Sequence, residues 1–200
     1  MHPNPRFRHA DRALHETLID EVGFGMVFAQ TPDGPRVAHT PILSTGDGAV
    51  QFHLARSNGL TRHLAGSNAL VTVNGPDAYV SARWYDGVDE VPTWNYVAIE
   101  LEGPVRRMEE EGLLALLEGL SNRHEARIEG GTPWTMDKLS DRARNGLLRG
   151  IVGFEMEAKA WRETVKLSQN KGPDDRARVM AGLESNGAPA LAQLMRTLAP

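Results

Sequence analysis

Cysteine is absent from this 200-residue sequence, and its absence excludes several kinds of chemistry. Without cysteine there are no disulfides, no thiol nucleophile and no thiolate-based zinc or iron–sulfur site. Aromatic residues make up only 6% of the chain, and no apolar run approaches the roughly 20 residues that span a bilayer. Residues 1–16 are polar and lack the apolar core of a secretory signal. We therefore expect a soluble, cytoplasmic protein with no membrane partner.

Positive charge is also scarce, since 22 Lys and Arg residues stand against 26 Asp and Glu residues. The resulting net charge of −4 gives no electrostatic argument for binding DNA or RNA. Apolar residues form 40% of the chain and charged residues 24%, the balance of an ordinary globular protein. We expect a main domain over residues 1–170, with residues 171–200 as a helical extension of it.

The motifs that identify common enzyme classes are missing as well. The sequence contains no GxGxxG, GxxxxGK[ST], GxSxG or HExxH pattern. Its seven histidines are scattered, and none pair at helical ligand spacing, so no metal site is predicted. Nothing selects one Ser-His-Asp combination over another, which disfavours simple hydrolase chemistry.

Short stretches of alternating polarity predict a β-rich fold. The predicted strands cover residues 24–31, 36–44, 49–55, 69–76, 78–85, 91–103 and 150–161. The predicted helices cover residues 11–22, 57–66 and 109–124, with two more in the tail after residue 172. Most strands lie too close together in sequence for helical crossovers, which favours an α+β fold with an antiparallel sheet closed into a small barrel.

The stretch VPTWNYVAIELEG, residues 91–103, raises the question of whether it is wall packing or a ligand site. Its period of two predicts an interior face and an outer face. The interior face holds Thr93, Asn95, Val97, Ile99 and Leu101, and the outer face holds Trp94, Tyr96, Ala98, Glu100 and Glu102.

Two polar clusters lie along the early strands. His39 and Thr40 fall within a strand, where a histidine commonly serves as a structural hydrogen-bonding group. Arg56, Ser57 and Asn58 stand where a strand gives way to a helix. A guanidinium beside helix-terminal N–H groups suits a phosphate. A surface arginine beside a helix cap is the alternative interpretation.

Two further clusters lie later in the chain. Residues 81–85 and 91–96 combine aromatic side chains with Ser, Arg, Thr and Asn. Core packing explains the aromatic residues alone. A site for a flat heteroaromatic ligand explains both the aromatic and the polar residues. The polar run KLSQNK, residues 166–171, reads either as a loop or as one side of a site.

Taken together, these clusters resemble the PaiB-type family. The motifs that carry the resemblance are HxPxL at 39–43, ARxN at 55–58, GPxAYVS at 75–81, VPTWNY at 91–96, VGFE at 152–155 and KLSQN at 166–170. This family is similar to pyridoxamine-phosphate oxidase relatives within the flavin-binding split-barrel group. The resemblance implies a six-stranded antiparallel split β-barrel, an FMN cofactor and a homodimer.

The resemblance also implies a set of cofactor-binding residues. On the phosphate side they are Arg56, Ser57 and Asn58, and facing the ring or ribityl chain they are His39 and Thr40. The remaining candidates are Trp94, Asn95, Lys166, Ser168, Gln169 and Asn170. Two departures concern ligand choice, since Gly59 replaces a frequent proline and Arg83 replaces a small residue.

Three functions follow as alternatives. The first is FMN binding, with a flavin-dependent oxidoreductase or a redox sensor as its use and with His39 and Tyr96 as the first proton donors to test. The second is a transcriptional regulator acting through DNA or a protein partner, although no helix-turn-helix is recognisable. The third is haem binding by one of His39, His53, His63 or His124.

Overall fold

The computed structural model describes residues 2–199. Seven strands are present in this range: β1 Phe24–Thr31, β2 Gly34–Ser44, β3 Ala49–Ala55, β4 Asn68–Val80, β5 Thr93–Arg107, β6 Ile151–Glu157 and β7 Ala160–Lys166. Six α-helices accompany them in this range: α1 Arg12–Val22, α2 Thr61–Leu64, α3 Glu110–Glu125, α4 Asp141–Arg149, α5 Pro173–Ser185 and α6 Pro189–Leu198.

The sheet closes on itself, as predicted for a split barrel. The strand order is β4-β1-β2-β3-β6-β5-β7, and β4 also pairs with β5. Every pairing with a described register is antiparallel, including β1 with β2, β2 with β3 and β3 with β6. The predicted α+β class and antiparallel barrel are therefore confirmed.

Contacts between Cα atoms divide the chain into two compact units. Within the described residues, the first unit holds 2–12, 74–99 and 162–199, and the second holds 13–73 and 100–161. Residues 171–199 thus belong to the first unit. The expectation of a domain over 1–170 with an appended extension stays a prediction.

The core of the second unit follows from alternation along β3 and β6. Phe52 and Phe154 are directly paired across these strands, and their rings stack with centroids 5.7 Å apart. Helix α3 packs its leucines against β6, where Gly153 leaves room for Leu113. A Cβ on Gly153 would lie 3.2 Å from Leu113 Cδ1, so the glycine permits this close approach.

The core of the first unit combines strand and tail residues. The interior face predicted for residues 93–101 is buried at Asn95, Val97 and Ile99, and at Leu101 in the second unit, while Trp94 is exposed. Helices α5 and α6 begin with Pro173 and Pro189, because proline lacks an N–H that the first turn does not use. The two predicted tail helices are confirmed.

Four predicted elements differ from those in the structure. The predicted strands 69–76 and 78–85 are one strand that ends at Val80. It ends there because the Ser81 hydroxyl accepts a hydrogen bond from Arg83 N and starts a 3₁₀ turn. The predicted strand 150–161 is two strands, β6 and the start of β7. Only residues 61–64 of the predicted helix 57–66 are helical.

Candidate functional site

A cavity of about 720 Å³ lies in the second unit, lined by the residue after β3, the end of β5, the start of β6, α3 and α4. This volume is within the range of small-molecule sites in proteins. Arg56, Arg107 and Arg149 line it, and we call it the arginine cavity. Its apolar lining residues are Met108, Leu113, Leu148, Ile151 and Val152.

Arg56 lies at this cavity directly after β3. Its Nε donates to the carbonyl oxygen of Arg149 at 2.9 Å, and its Nη2 donates to that of Ile151 at 3.2 Å. Its backbone N–H donates to Gly150 O at 2.8 Å. These bonds tie the end of β3 to the junction of α4 and β6. Because a guanidinium carries five N–H donors, the remaining donors of Arg56 can bind a ligand.

Arg107 and Arg149 make no side-chain hydrogen bond or ion pair within residues 2–199, so both guanidinium groups can meet an anion. Glu109 and Glu110 also line the cavity, which leaves it one net positive charge. These glutamates begin α3, whose first turn has no side-chain cap. Free N–H groups at a helix start favour an anion. The arginine cavity therefore has the donors that a phosphate group requires.

Ser57 and Asn58, predicted on the phosphate side, form the turn beside the cavity. Asn58 Oδ1 accepts a hydrogen bond from Leu60 N at 2.9 Å, and Asn58 N donates to Ala55 O at 2.9 Å. The Asn58 side chain thus shapes the turn that precedes α2. Ser57 is exposed, and neither residue lines the arginine cavity.

His39 and Thr40 are neighbours on β2 but face opposite ways. His39 is exposed, whereas Thr40 is buried and its hydroxyl donates to the carbonyl of His53 at 2.6 Å. His53 Nδ1 is buried without a hydrogen-bond partner among the described residues. Burial lowers the pKa of His53, which favours its neutral form.

The first unit contains a buried polar cluster that includes residues of the VPTWNY and KLSQN motifs. Asn95 has no solvent-exposed surface, and its Nδ2 donates to Ser168 Oγ at 2.9 Å. Burial raises the pKa of the Tyr85 phenol, and a hydrogen bond from Ser168 partly offsets that effect. Lys171 lies over the Tyr85 ring, 4.4 Å from its centroid, and forms an ion pair with Glu90. We call Tyr85, Asn95 and Ser168 the buried polar triad.

Lys166 and Trp94 also come together in this unit. Lys166 Nζ donates to the hydroxyl of Thr93 and to the carbonyl of Trp94, the latter at 2.9 Å. Burial lowers the pKa of Lys166. The Trp94 side chain is 52% exposed and meets Tyr79 edge to face, with ring centroids 6.3 Å apart. Trp94 was predicted on the outer face of its strand, and its exposure agrees with that; core packing, one of the two interpretations of the aromatic residues, does not apply to it.

Gln169 and Asn170 complete the predicted set. The Gln169 side chain accepts a hydrogen bond from Leu167 N at 2.7 Å and donates to the carbonyl of Val165. These bonds fix the turn that follows β7. Asn170 is exposed. Ser168 has a positive φ of 61°, a conformation that a residue with a side chain adopts at a cost.

The predicted site residues thus form two groups, one in each compact unit. Arg56 is the predicted residue that lines the arginine cavity, where it is joined by Arg107 and Arg149. Neither partner was predicted, because each lies at the end of an element whose extent only the structure defines. Helix α4 itself was not predicted, since DRARNGLLR has few apolar residues to mark a buried face.

Comparisons with known sequences give a family match and relatives that align over most of the chain. The family model described as "Putative FMN-binding domain" matches residues 1–160. The chain is 31% identical over 181 residues to "Protease synthase and sporulation protein PAI 2" of Bacillus subtilis, covering 88% of this chain and 86% of that protein. It is 28% identical over 189 residues to an uncharacterized protein of Emericella nidulans, covering 78% of this chain and 75% of that one.

Solved structures with similar folds include two flavoproteins. The FAD and heme binding protein from Mycobacterium smegmatis has a TM-score of 0.64 at 18% identity, covering 84% of this chain and 78% of that one. The flavocytochrome Anf3 from Azotobacter vinelandii has a TM-score of 0.56 at 17% identity, covering 84% and 74%. At these identities the likeness concerns the fold.

Proposed function

This chain belongs to the family of FMN-binding domains whose model matches residues 1–160, and from that membership we propose that its arginine cavity binds the phosphate end of FMN. FMN is the cofactor of the family. The observation that carries the proposal is that Arg56, Arg107 and Arg149 line one cavity together with the uncapped start of α3. Guanidinium groups bind phosphate through paired N–H donors, and a helix start adds positive potential.

The role of each arginine follows from its contacts. Arg56 holds the α4–β6 junction through two carbonyls and directs its remaining donors to the phosphate. Arg107 and Arg149 supply charge, because they have no partner within residues 2–199. Leu148 and Ile151 give the cavity an apolar side. When bound, FMN supplies hydride or single-electron transfer, so we propose a flavin-dependent oxidoreductase or a redox sensor.

The other predicted residues receive different roles in this proposal. Asn95, Ser168 and Gln169 hold the turn after β7 in place through hydrogen bonds within the first unit. The polar groups of these residues are hydrogen-bonded to protein atoms or buried, so their role in this proposal is to stabilise the fold. Trp94 and Asn170 are exposed and remain candidates for direct ligand contact.

A comparison of FMN with riboflavin tests the phosphate site, since only FMN carries the phosphate. Apoprotein is titrated with each flavin, and binding is followed by quenching of flavin fluorescence. Arg107→Ala and Arg149→Ala should each weaken FMN binding about tenfold or more while leaving riboflavin affinity unchanged, as expected for a lost charge-assisted contact. Arg36→Ala, which removes an exposed arginine of β2, is the control.

Arg56→Ala has two expected effects because the side chain has two sets of contacts. It should weaken FMN binding by a few kcal/mol at most, and it should also lower the free energy of unfolding by about 1 kcal/mol through the lost carbonyl contacts. FMN affinity that is unchanged in the Arg56, Arg107 and Arg149 variants would refute the phosphate site.

A redox experiment separates an enzyme from a sensor. The FMN-loaded protein is mixed anaerobically with NADH or NADPH, and loss of the visible flavin absorption is followed over time. Repeated turnover after readmission of oxygen supports an oxidoreductase. Reduction by dithionite alone, with no turnover, supports a sensor.

We also propose a homodimer, in keeping with the resemblance to split-barrel flavoproteins. The exposed aromatic pair Tyr79 and Trp94 supports it, because paired large apolar side chains on a surface mark contact sites. Sedimentation velocity of the wild type and of Trp94→Lys tests it. A wild type that sediments as a monomer at high concentration would overturn it.

DNA regulation and haem binding have less support. The net charge of −4 does not favour DNA, and the arginines discussed above are gathered at one cavity. Haem iron takes its axial ligand from a single side chain such as a histidine, and none of His39, His53, His63 and His124 lines the arginine cavity. Salt-dependent retention on DNA and a Soret band after haem addition are the respective tests.

A further inference from the structure

We propose that a second pocket of this protein binds a small aromatic molecule that carries one anionic group, such as an aromatic carboxylate. This pocket has a volume of about 240 Å³ and lies in the second unit between α3, α4 and the loop that joins them. Trp134, Met136 and Leu139 of the loop form one wall, and Leu117 and Leu147 lie on the helices. We call it the apolar pocket. Nothing about FMN is needed for this proposal.

Two large apolar side chains line this pocket while still meeting water. Trp134 is 37% exposed and Leu147 is 62% exposed. Single exposed apolar residues are common on protein surfaces and need no explanation. These two, however, line the same concavity, so a ligand that fills it would bury part of both. Burial of apolar surface stabilises the bound state in proportion to the area removed from water.

The loop that forms the wall is held by specific contacts. Trp134 N donates to the carboxylate of Glu125 in α3 at 2.8 Å. Lys138 Nζ donates to the carbonyl of Pro133 at 2.7 Å, which closes the loop on itself. These bonds hold the backbone around Trp134, whose side chain lines the pocket. A prearranged flat wall favours a planar aromatic ligand, since stacking then needs little ordering.

Arg144 is the charged residue among those lining the pocket, and its positive charge favours a ligand with an anionic group. Its guanidinium pairs with Asp141 at 2.8 Å, but Asp141 is 85% exposed. An exposed pair of this kind contributes little, so a ligand carboxylate can share or replace Asp141. The hydroxyl of Ser121 is a further polar group in the lining. An aromatic ring with one anionic group therefore matches the apolar wall together with Arg144 and Ser121.

A pair of fluorescent probes tests both halves of the proposal. The probes are 1-anilinonaphthalene-8-sulfonate and N-phenyl-1-naphthylamine, which share the aromatic rings and differ in the sulfonate. Each is titrated into the wild-type protein in the presence of saturating FMN. Binding at one site per chain is expected for both, with the sulfonate probe bound more tightly.

Three variants assign the site. Trp134→Ala and Leu147→Gln should each weaken both probes about fivefold or more, because both remove apolar contact area. Arg144→Gln should weaken the sulfonate probe about tenfold and leave the neutral probe unchanged. Val88→Gln, which alters a fully exposed apolar residue of the first unit, should change neither.

Leu148 and Ile151 line both the apolar pocket and the arginine cavity, so the variants avoid these two residues. FMN affinity measured on the same variants separates the two proposals. Loss of probe binding with normal FMN affinity supports the apolar pocket. Probe binding that survives both Trp134→Ala and Leu147→Gln overturns it, whatever happens to FMN. A change of sedimentation coefficient in Leu147→Gln would indicate a contact between chains, and would also overturn it.

Discussion

The side-chain amide of Asn95 donates a hydrogen bond to the hydroxyl of Ser168, 73 residues further along the chain, at 2.9 Å. Both residues are buried, and each belongs to one of the motifs that carry the family resemblance, VPTWNY for Asn95 and KLSQN for Ser168. The same amide lies 3.6 Å from the sulfur of Met195 in α6. One side chain therefore connects β5, the turn after β7 and the last helix.

Replacement of Asn95 should therefore destabilise the fold. Asn95→Ala removes the donor to Ser168 and leaves a buried hydroxyl with one partner fewer, which costs about 1–3 kcal/mol. Chemical denaturation followed by circular dichroism gives the free energy of unfolding. Asn74→Ala, at an exposed position of β4, is the control and should change it by less than about 0.5 kcal/mol. A fully stable Asn95→Ala protein with weakened FMN binding would instead indicate direct contact with the ligand.

Two substitutions of Ser168 separate backbone strain from the lost hydroxyl. Ser168 has a φ of 61°, which glycine adopts freely and alanine does not. Both variants lose the hydrogen bonds of the buried polar triad, but only Ser168→Gly relieves the strain. We expect Ser168→Ala to be less stable than Ser168→Gly by about 1 kcal/mol. Equal stabilities, measured by the same denaturation experiment, would contradict a strained conformation.

Two helical glycines should respond to alanine in opposite directions. A Cβ on Gly182 of α5 would lie 2.4 Å from Cε2 of Trp84, so this glycine allows the helix to contact the indole. Gly182→Ala should destabilise the protein by roughly 1–3 kcal/mol through overpacking. A Cβ on Gly146 of α4 would meet no atom within 4 Å, so Gly146→Ala should stabilise by roughly 0.5–1 kcal/mol.

Thermal and chemical denaturation of both variants test this pair of predictions. The double variant Gly182→Ala with Trp84→Phe should recover part of the stability lost in Gly182→Ala, because the smaller ring makes room for the methyl group. A Gly182→Ala protein as stable as the wild type would show that the indole moves without cost.

Acidification should destabilise the protein in part through His53. Burial lowers the pKa of this side chain in the folded state, so the unfolded chain binds a proton first as the pH falls. Above the unfolded pKa of about 6.5, His53 is neutral in both the folded and the unfolded chain and does not destabilise the fold. The free energy of unfolding decreases as the pH falls from there toward the lower pKa of the folded state. His53→Gln should therefore lose less stability than the wild type between about pH 7.5 and about pH 5.

Urea denaturation at these two pH values measures the effect. His39→Gln removes an exposed histidine from β2 and is the matched control. It should show the same loss on acidification as the wild type. A wild-type loss that His53→Gln leaves unchanged would assign the pH dependence to other groups.

The local sequence pattern was sufficient to predict burial within a strand, because successive residues of a strand face opposite sides of the sheet. The period of two along residues 93–101 predicted which side chains face inward, and Asn95, Val97 and Ile99 are buried as predicted. The two helices predicted after residue 172 are present as α5 and α6. The number of strands and their close spacing led to the antiparallel barrel, because short connections allow little else.

Tertiary structure decided which polar residues meet. Arg56 could be selected from its place between a strand and a helix, but Arg107 and Arg149 come to the same cavity from β5 and α4, 51 and 93 residues away in numbering. Trp94 was predicted on the outer face of its strand, but only the structure shows that its exposed ring meets Tyr79.

The amino-acid sequence by itself determined the family, the class of fold and the inward face of the strand over residues 93–101. These properties depend on residue type at fixed local spacing, which a single chain displays directly. Only the tertiary structure decided that Asn95 meets Ser168, that three arginines surround one cavity and that Trp134 borders another. Such contacts depend on how segments that are distant in sequence pack together, and the local periodicity of residues does not specify that packing.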